Sequence, residues 1–107
     1  MKKDMKDVRN WGTAYEAKTL EDKVKFNIAQ QCEGYLNGCH DCGYEPMTKQ
    51  EWTEFIYKGM QDEFETEDGC YIGKQAGRQL HFYGKQKTIA LIEEYLEKYE
   101  DVQEYIK

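Results

Sequence analysis

Cysteines stand at Cys32, Cys39, Cys42 and Cys70, and the middle pair lies within the string Cys39-His40-Asp41-Cys42-Gly43. Two thiolates separated by two residues can approach one metal ion from a tight turn, and a glycine after the second relieves the strain of that turn. Cys32 and Cys70 have no motif spacing of their own. They join the set because a tetrahedral ion takes four ligands and the chain offers four soft ones. The chemistry expected of Cys32, Cys39, Cys42 and Cys70 is therefore ligation of a structural Zn2+. His81 is the substitute ligand should an outlying cysteine drop out, while His40, next to Cys39, would point away from a shared ion.

Two other readings compete with zinc. Cys32 and Cys70 can be small buried apolar residues, as free cysteines often are, and Cys39 with Cys42 can be a redox pair. A thiol–disulfide enzyme places its pair at the start of a helix that follows a strand. Here the pair follows a helical pattern and precedes a loop containing Pro46, the chain's one proline. Four thiolates would close the zinc shell and leave no position for an activated water. The chain contains no serine and only two histidines, so little remains for nucleophilic or general-base work, and no enzymatic activity is expected. Gly84-Lys85-Gln86-Lys87-Thr88 has the flavour of a phosphate loop, but Gln86 stands where a glycine should precede the Lys-Thr pair.

The elements that would position these residues follow from apolar spacing. Leu20, Val24, Ile28, Cys32, Tyr35 and Leu36 share one stripe, and Thr19 with Asp22 forms a capping pair; this predicts a helix over 19–36 with Gly38 as its stop. Residues 39–46 read as a loop around the cysteine pair. Thr48 and Glu51 make a capping box for a second helix ending near Phe64, with Trp52, Phe55, Ile56, Gly59 and Met60 on its inner face. Cys70-Tyr71-Ile72 and Leu80-His81-Phe82-Tyr83, with Gly73 and Gly77 between them, read as a β-hairpin. A last helix is expected from 86 to the end, because Ile89, Ile92, Tyr95, Leu96, Tyr99, Val102 and Ile106 recur at helical spacing, with Leu91 at the border. Residues 1–17 show no sustained period and are expected to be irregular, with a short strand near Trp11. The expectation is one α+β domain over 1–107: three helices and a hairpin, stapled by zinc.

A chain of 107 residues is a single domain by length. It has no apolar run long enough to cross a membrane, and its charged start lacks the apolar stretch of a secretory signal, so a cytoplasmic location is expected. A reducing cytosol favours metal ligation over disulfides. Fifteen basic against 21 acidic residues leave a net charge of −6, which disfavours nucleic acid and anionic membranes and suits a basic protein partner. Glu93, Glu94, Glu97, Glu100, Asp101 and Glu104 gather on one sector of the last helix, where like charges cost a few tenths of a kcal/mol per i, i+4 pair. That cost makes sense if a basic groove is the partner, and Glu93, Glu97, Glu100 and Glu104 are the expected contact residues.

Small size, an acidic surface, nine tyrosines, four possible metal ligands and no catalytic set describe a binder that occupies a protein surface. With Cys32, Cys39, Cys42 and Cys70 as the metal site, the chain resembles the small metal-binding anti-CRISPR proteins of phages and mobile elements that inhibit Cas9. The resemblance is one of overall type and implies a Cas9-type nuclease of a bacterial host as partner, blocked at its basic nucleic-acid channel or at a lobe that must move. The alternative is a zinc-dependent nucleic-acid adaptor or small transcriptional regulator using Lys74, Arg78, Lys85 and Lys87, interleaved with His81, Phe82 and Tyr83. A structural accessory protein of a phage particle or operon is a third reading.

Overall fold

A computed structural model describes residues 8–10, 19–65 and 82–107. The described elements are a 3-10 turn at Val8–Asn10 and four helices: α1, Leu20–Asp41; α2, Lys49–Glu65; α3, Lys85–Lys98; and the short α4, Glu100–Gln103. No strand occurs among the described residues; the single β feature is an isolated parallel bridge between Met47 and Ile106. The expected α+β class is thereby corrected to a helical packing. The first strand of the expected hairpin, Cys70–Ile72, lies outside the described residues, while Phe82 and Tyr83, placed at the end of the second, are helical. Short apolar runs of this kind do not distinguish strand from helix by periodicity, and β propensity yields readily to context. The 1–17 segment falls outside the description except for the 3-10 turn.

The helices form where the sequence supplies caps and stripes. Thr19 is the N-cap of α1, its hydroxyl accepting from the Asp22 amide at 3.1 Å. Thr48 and Glu51 close the expected capping box on α2: the Glu51 amide donates to Thr48 Oγ1, and the Thr48 amide donates to Glu51 Oε1, both at 3.1 Å. Val24, Ile28, Cys32 and Leu36 of α1 meet Trp52, Ile56 and Met60 of α2 and Ile92, Tyr95 and Leu96 of α3 in one core. The stripe readings thus place much of the core, with departures at Leu20 and Phe55, which stand 39% and 42% exposed, and at Ile89, which is half-buried and outside the core cluster. Thr53 and Thr88 are buried with their hydroxyls donating to the carbonyls four residues back, Lys49 and Gly84, so neither leaves a buried polar group unsatisfied.

Two boundaries differ from expectation. Helix α1 does not stop at Leu36; it runs through Gly38 to Asp41. The stop is made instead by Gly43, whose φ of +71° lies in the left-handed region open to glycine. The terminal helix does not continue to the end, because Tyr99 adopts an extended conformation (φ −112°, ψ 123°) between α3 and α4. There the backbone turns so that Asp101 meets Arg9 of the 3-10 turn, and Gln103 Nε2 donates to the otherwise uncapped Glu97 carbonyl at 2.6 Å. The tail then pins the α1–α2 connection: the Met47 amide donates to the Tyr105 carbonyl, the Lys107 amide to the Met47 carbonyl, and Trp52 Nε1 to the Tyr105 carbonyl.

Candidate protein-binding surface

Cys39, His40 and Asp41 form the last turn of α1 and Cys42 is its C-cap, so the cysteine pair belongs to a helix end and not to a loop. Cys32 lies on the same helix, fully buried in the core. Seven residues separate Cys32 from Cys39, or roughly 10.5 Å along the axis, and both side chains tilt the same way along the helix. Sulfurs sharing a zinc at about 2.3 Å each stand no more than about 4.6 Å apart. One ion therefore cannot hold both. Burial also pushes the Cys32 thiol up to about 12. No group of three or more His, Cys, Asp or Glu placed to hold a metal ion occurs among the described residues. The four-cysteine staple expected as part of the fold is corrected to this extent: Cys32 and Cys39 of α1 do not share an ion. Cys70 and His81 lie outside the described residues. Cys32 is the small buried residue of the competing reading, while His40 turns away, its Nδ1 sharing a 3.2 Å hydrogen bond with the Tyr105 hydroxyl.

The acidic residues keep their exposure but lose their single row. Glu93, Glu94 and Glu97 are exposed on α3, and Glu100 and Glu104 are exposed beyond the break at Tyr99. Glu97 pairs with Lys49 of α2. Asp101 turns inward: its two carboxylate oxygens accept from Arg9 Nη1 at 2.9 and 3.0 Å, and Arg9 Nε donates to the Tyr95 hydroxyl at 3.0 Å. The guanidinium also lies 3.8 Å from the centroid of the Tyr99 ring. Burial works against the charge on Arg9, but the bonds to Tyr95 and Asp101 outweigh it and hold the guanidinium's pKa above its ordinary value.

A second surface was not legible in the sequence. The ring of Tyr35 on α1 has Tyr44, Trp52 and Phe55 around it at centroid distances of 5.2, 5.0 and 5.0 Å. Trp52 is buried beneath, edge-on to Tyr35, while Tyr44 and Phe55 are 49% and 42% exposed. Tyr44 reaches this place because the left-handed Gly43 folds the chain back over the helix end, and its amide donates to the Gly38 carbonyl at 3.3 Å. Its ring lies on the Gly38 backbone so closely that a Cβ on Gly38 would stand 2.2 Å from two ring carbons. The Tyr35 hydroxyl donates to the Glu45 carbonyl at 2.9 Å. Two signals were available, the paired glycines Gly38 and Gly43 and the Tyr35 position on the stripe; nothing in the spacing joins them to Phe55.

Of the expected basic cluster, Lys74 and Arg78 lie outside the described residues. Lys85 and Lys87 begin α3 and place their amines 5.5 and 5.7 Å from the ring centroids of Tyr57 and Tyr83. No described helix is long and apolar enough to cross a membrane. No family model matches the sequence, and comparisons with curated proteins and with solved structures found no match.

Proposed function

We propose that this chain acts by binding another protein, laying its acidic α3–α4 side on a basic surface and excluding whatever that surface normally holds. The observation that carries this reading is the exposure of Glu93, Glu94, Glu97, Glu100 and Glu104 on consecutive helices in a chain of net charge −6. Carboxylates held on a folded scaffold offer negative charge at fixed positions, and such charge steers association and selects a basic partner. The resemblance drawn from the sequence supplies the partner class: a Cas9-type nuclease, whose guide–target heteroduplex runs in a positively charged channel. The mode is occupation of a surface, with no chemistry at a catalytic centre.

The test is inhibition of target cleavage by a Cas9-type effector across a salt series, with and without charge reversal at Glu93, Glu97, Glu100 and Glu104. Inhibition that weakens with salt and disappears in the fourfold Glu→Lys variant supports the reading. Absence of a complex at low salt, or inhibition unchanged in that variant, removes it.

A further inference from the structure

The aromatic surface at the α1–α2 end carries a more specific inference, which rests on the reading that the partner is a basic protein. Cations of this chain sit over several of its rings: Arg9 over Tyr99 and Tyr95, Lys85 over Tyr57, Lys87 over Tyr83 and Lys98 over Tyr99. Tyr35, Tyr44 and Phe55 form an aromatic group with Tyr44 and Phe55 exposed, and among the described residues none of the three has a cation over its face. Lys107 stands within electrostatic reach of Glu51, yet it sits over none of these rings.

The Arg9 site shows what such a group is suited to. Its guanidinium stacks 3.8 Å over Tyr99, is flanked by Tyr95 and is neutralised by the carboxylate of Asp101. The Tyr35–Tyr44–Phe55 surface offers related ingredients on the outside of the molecule: exposed rings at Tyr44 and Phe55, and the acidic side chains of Glu45 and Glu51 within electrostatic reach of Tyr35. Partial burial, followed by nearby groups that include Glu45 and Glu51, raises the Tyr35 hydroxyl above its ordinary pKa. Glu51 is fixed as an anion by its capping bond from the Thr48 amide. The platform is also set in advance. Tyr44 is seated on Gly38 and Tyr35 is anchored through its hydroxyl, so little rotamer freedom is lost on binding.

We propose that the Tyr35–Tyr44–Phe55 platform is the docking site for an arginine side chain of the basic partner, its guanidinium stacking on the exposed rings with Glu45 and Glu51 as counter-charges. Cation–π contacts of this kind favour arginine, whose planar and weakly hydrated group stacks better than an ammonium.

The experiment is a titration of the 15N-labelled full chain with the pentapeptide Gly-Arg-Gly-Arg-Gly, repeated with arginine replaced by citrulline, which keeps the planar shape and removes the charge. The arginine peptide is expected to shift the amide resonances of Tyr35, Gly38, Tyr44 and Phe55, and the citrulline peptide to leave them in place. Tyr44→Ala with Phe55→Ala should weaken binding at least about fivefold while the helical circular-dichroism signal stays unchanged. Equal response to citrulline, or shifts confined to α3 and α4, overturns the proposal. The two readings fail separately. A platform response that survives charge reversal at Glu93, Glu97, Glu100 and Glu104, alongside unaltered inhibition in that variant, overturns only the acidic-side reading; loss of the platform response with inhibition still sensitive to the reversal overturns only this one.

Discussion

The ring of Tyr44 rests on the backbone of Gly38 with no room between them for a methyl group, since a Cβ there would approach the ring to 2.2 Å. A glycine inside a helix ordinarily costs about 0.5–1 kcal/mol relative to alanine, and Gly38 is inside α1. The cost is offset here by seating an aromatic ring that the chain holds half exposed.

Gly38→Ala sets these two effects against each other. Alanine favours the helix, and the clash falls on a side chain that can swing outward, so stability should change by no more than about 1 kcal/mol. The platform should suffer far more. Ring-current shifts from Tyr44 on residue 38 are expected to vanish in proton NMR spectra, and the response to the arginine peptide should fall with them, at nearly constant melting temperature.

Arg9 ties the 3-10 turn to α3 and α4 through Tyr95, Asp101 and Tyr99. Hydrogen bonds to a charged group are worth about 1.5–3 kcal/mol each when partly shielded from water, and Asp101 is 44% exposed, which puts this pair at the low end. Arg9→Ala should therefore cost about 2 kcal/mol in urea unfolding. Asp101→Asn, which keeps the shape and one acceptor, should cost less. A double-mutant cycle that returns no coupling between the two positions would remove the link assigned here.

Cys32 makes stability depend on alkaline pH. Its thiol is raised from 9.0 to about 12 by burial, so the unfolded chain releases this proton first. The contribution is fully present below pH 9 and is lost as pH rises toward 12, at up to about 1.4 kcal/mol per pH unit for the one proton. Burial raises the Tyr95 hydroxyl as well, adding a loss with the same sign above its ordinary value. Cys32→Ala should flatten the lower part of this alkaline limb in melts run from pH 8 to 11. In the native wild type, thiol reagents with peptide mapping should label exposed Cys42 well before Cys32.

The capping box of α2 gives the opposite pH signature. Bonds from the backbone and hydroxyl of Thr48 hold the Glu51 carboxyl below its ordinary pKa. A depressed carboxyl stabilises the fold above its unfolded pKa, and that stabilisation is lost as pH falls through the folded value. Glu51→Gln should make acid unfolding less steep, and Thr48→Ala should cost about 1 kcal/mol at neutral pH, both read from denaturant melts at pH 3 to 7.

Much of this molecule follows from local sequence. The stripes of Val24, Ile28, Cys32 and Leu36, and of Trp52, Ile56 and Met60, together with the caps at Thr19 and Thr48, determine two helices and their buried faces, because helical spacing and capping are short-range chemistry. Exposure of Glu93, Glu97, Glu100 and Glu104 follows in the same way from their place opposite an apolar stripe. Spacing alone could not weigh distant contacts. The terminal helix breaks at Tyr99, and beyond the break Asp101 meets Arg9 of the 3-10 turn. Burial of Cys32 two turns from Cys39 separates sulfurs that the sequence would have joined. The approach of Tyr44, Tyr35 and Phe55 depends on Gly43 turning the chain back and on α1 packing against α2. These outcomes belong to tertiary structure because each sets a local preference against the free energy of a contact made elsewhere in the chain, and in each the distant contact wins.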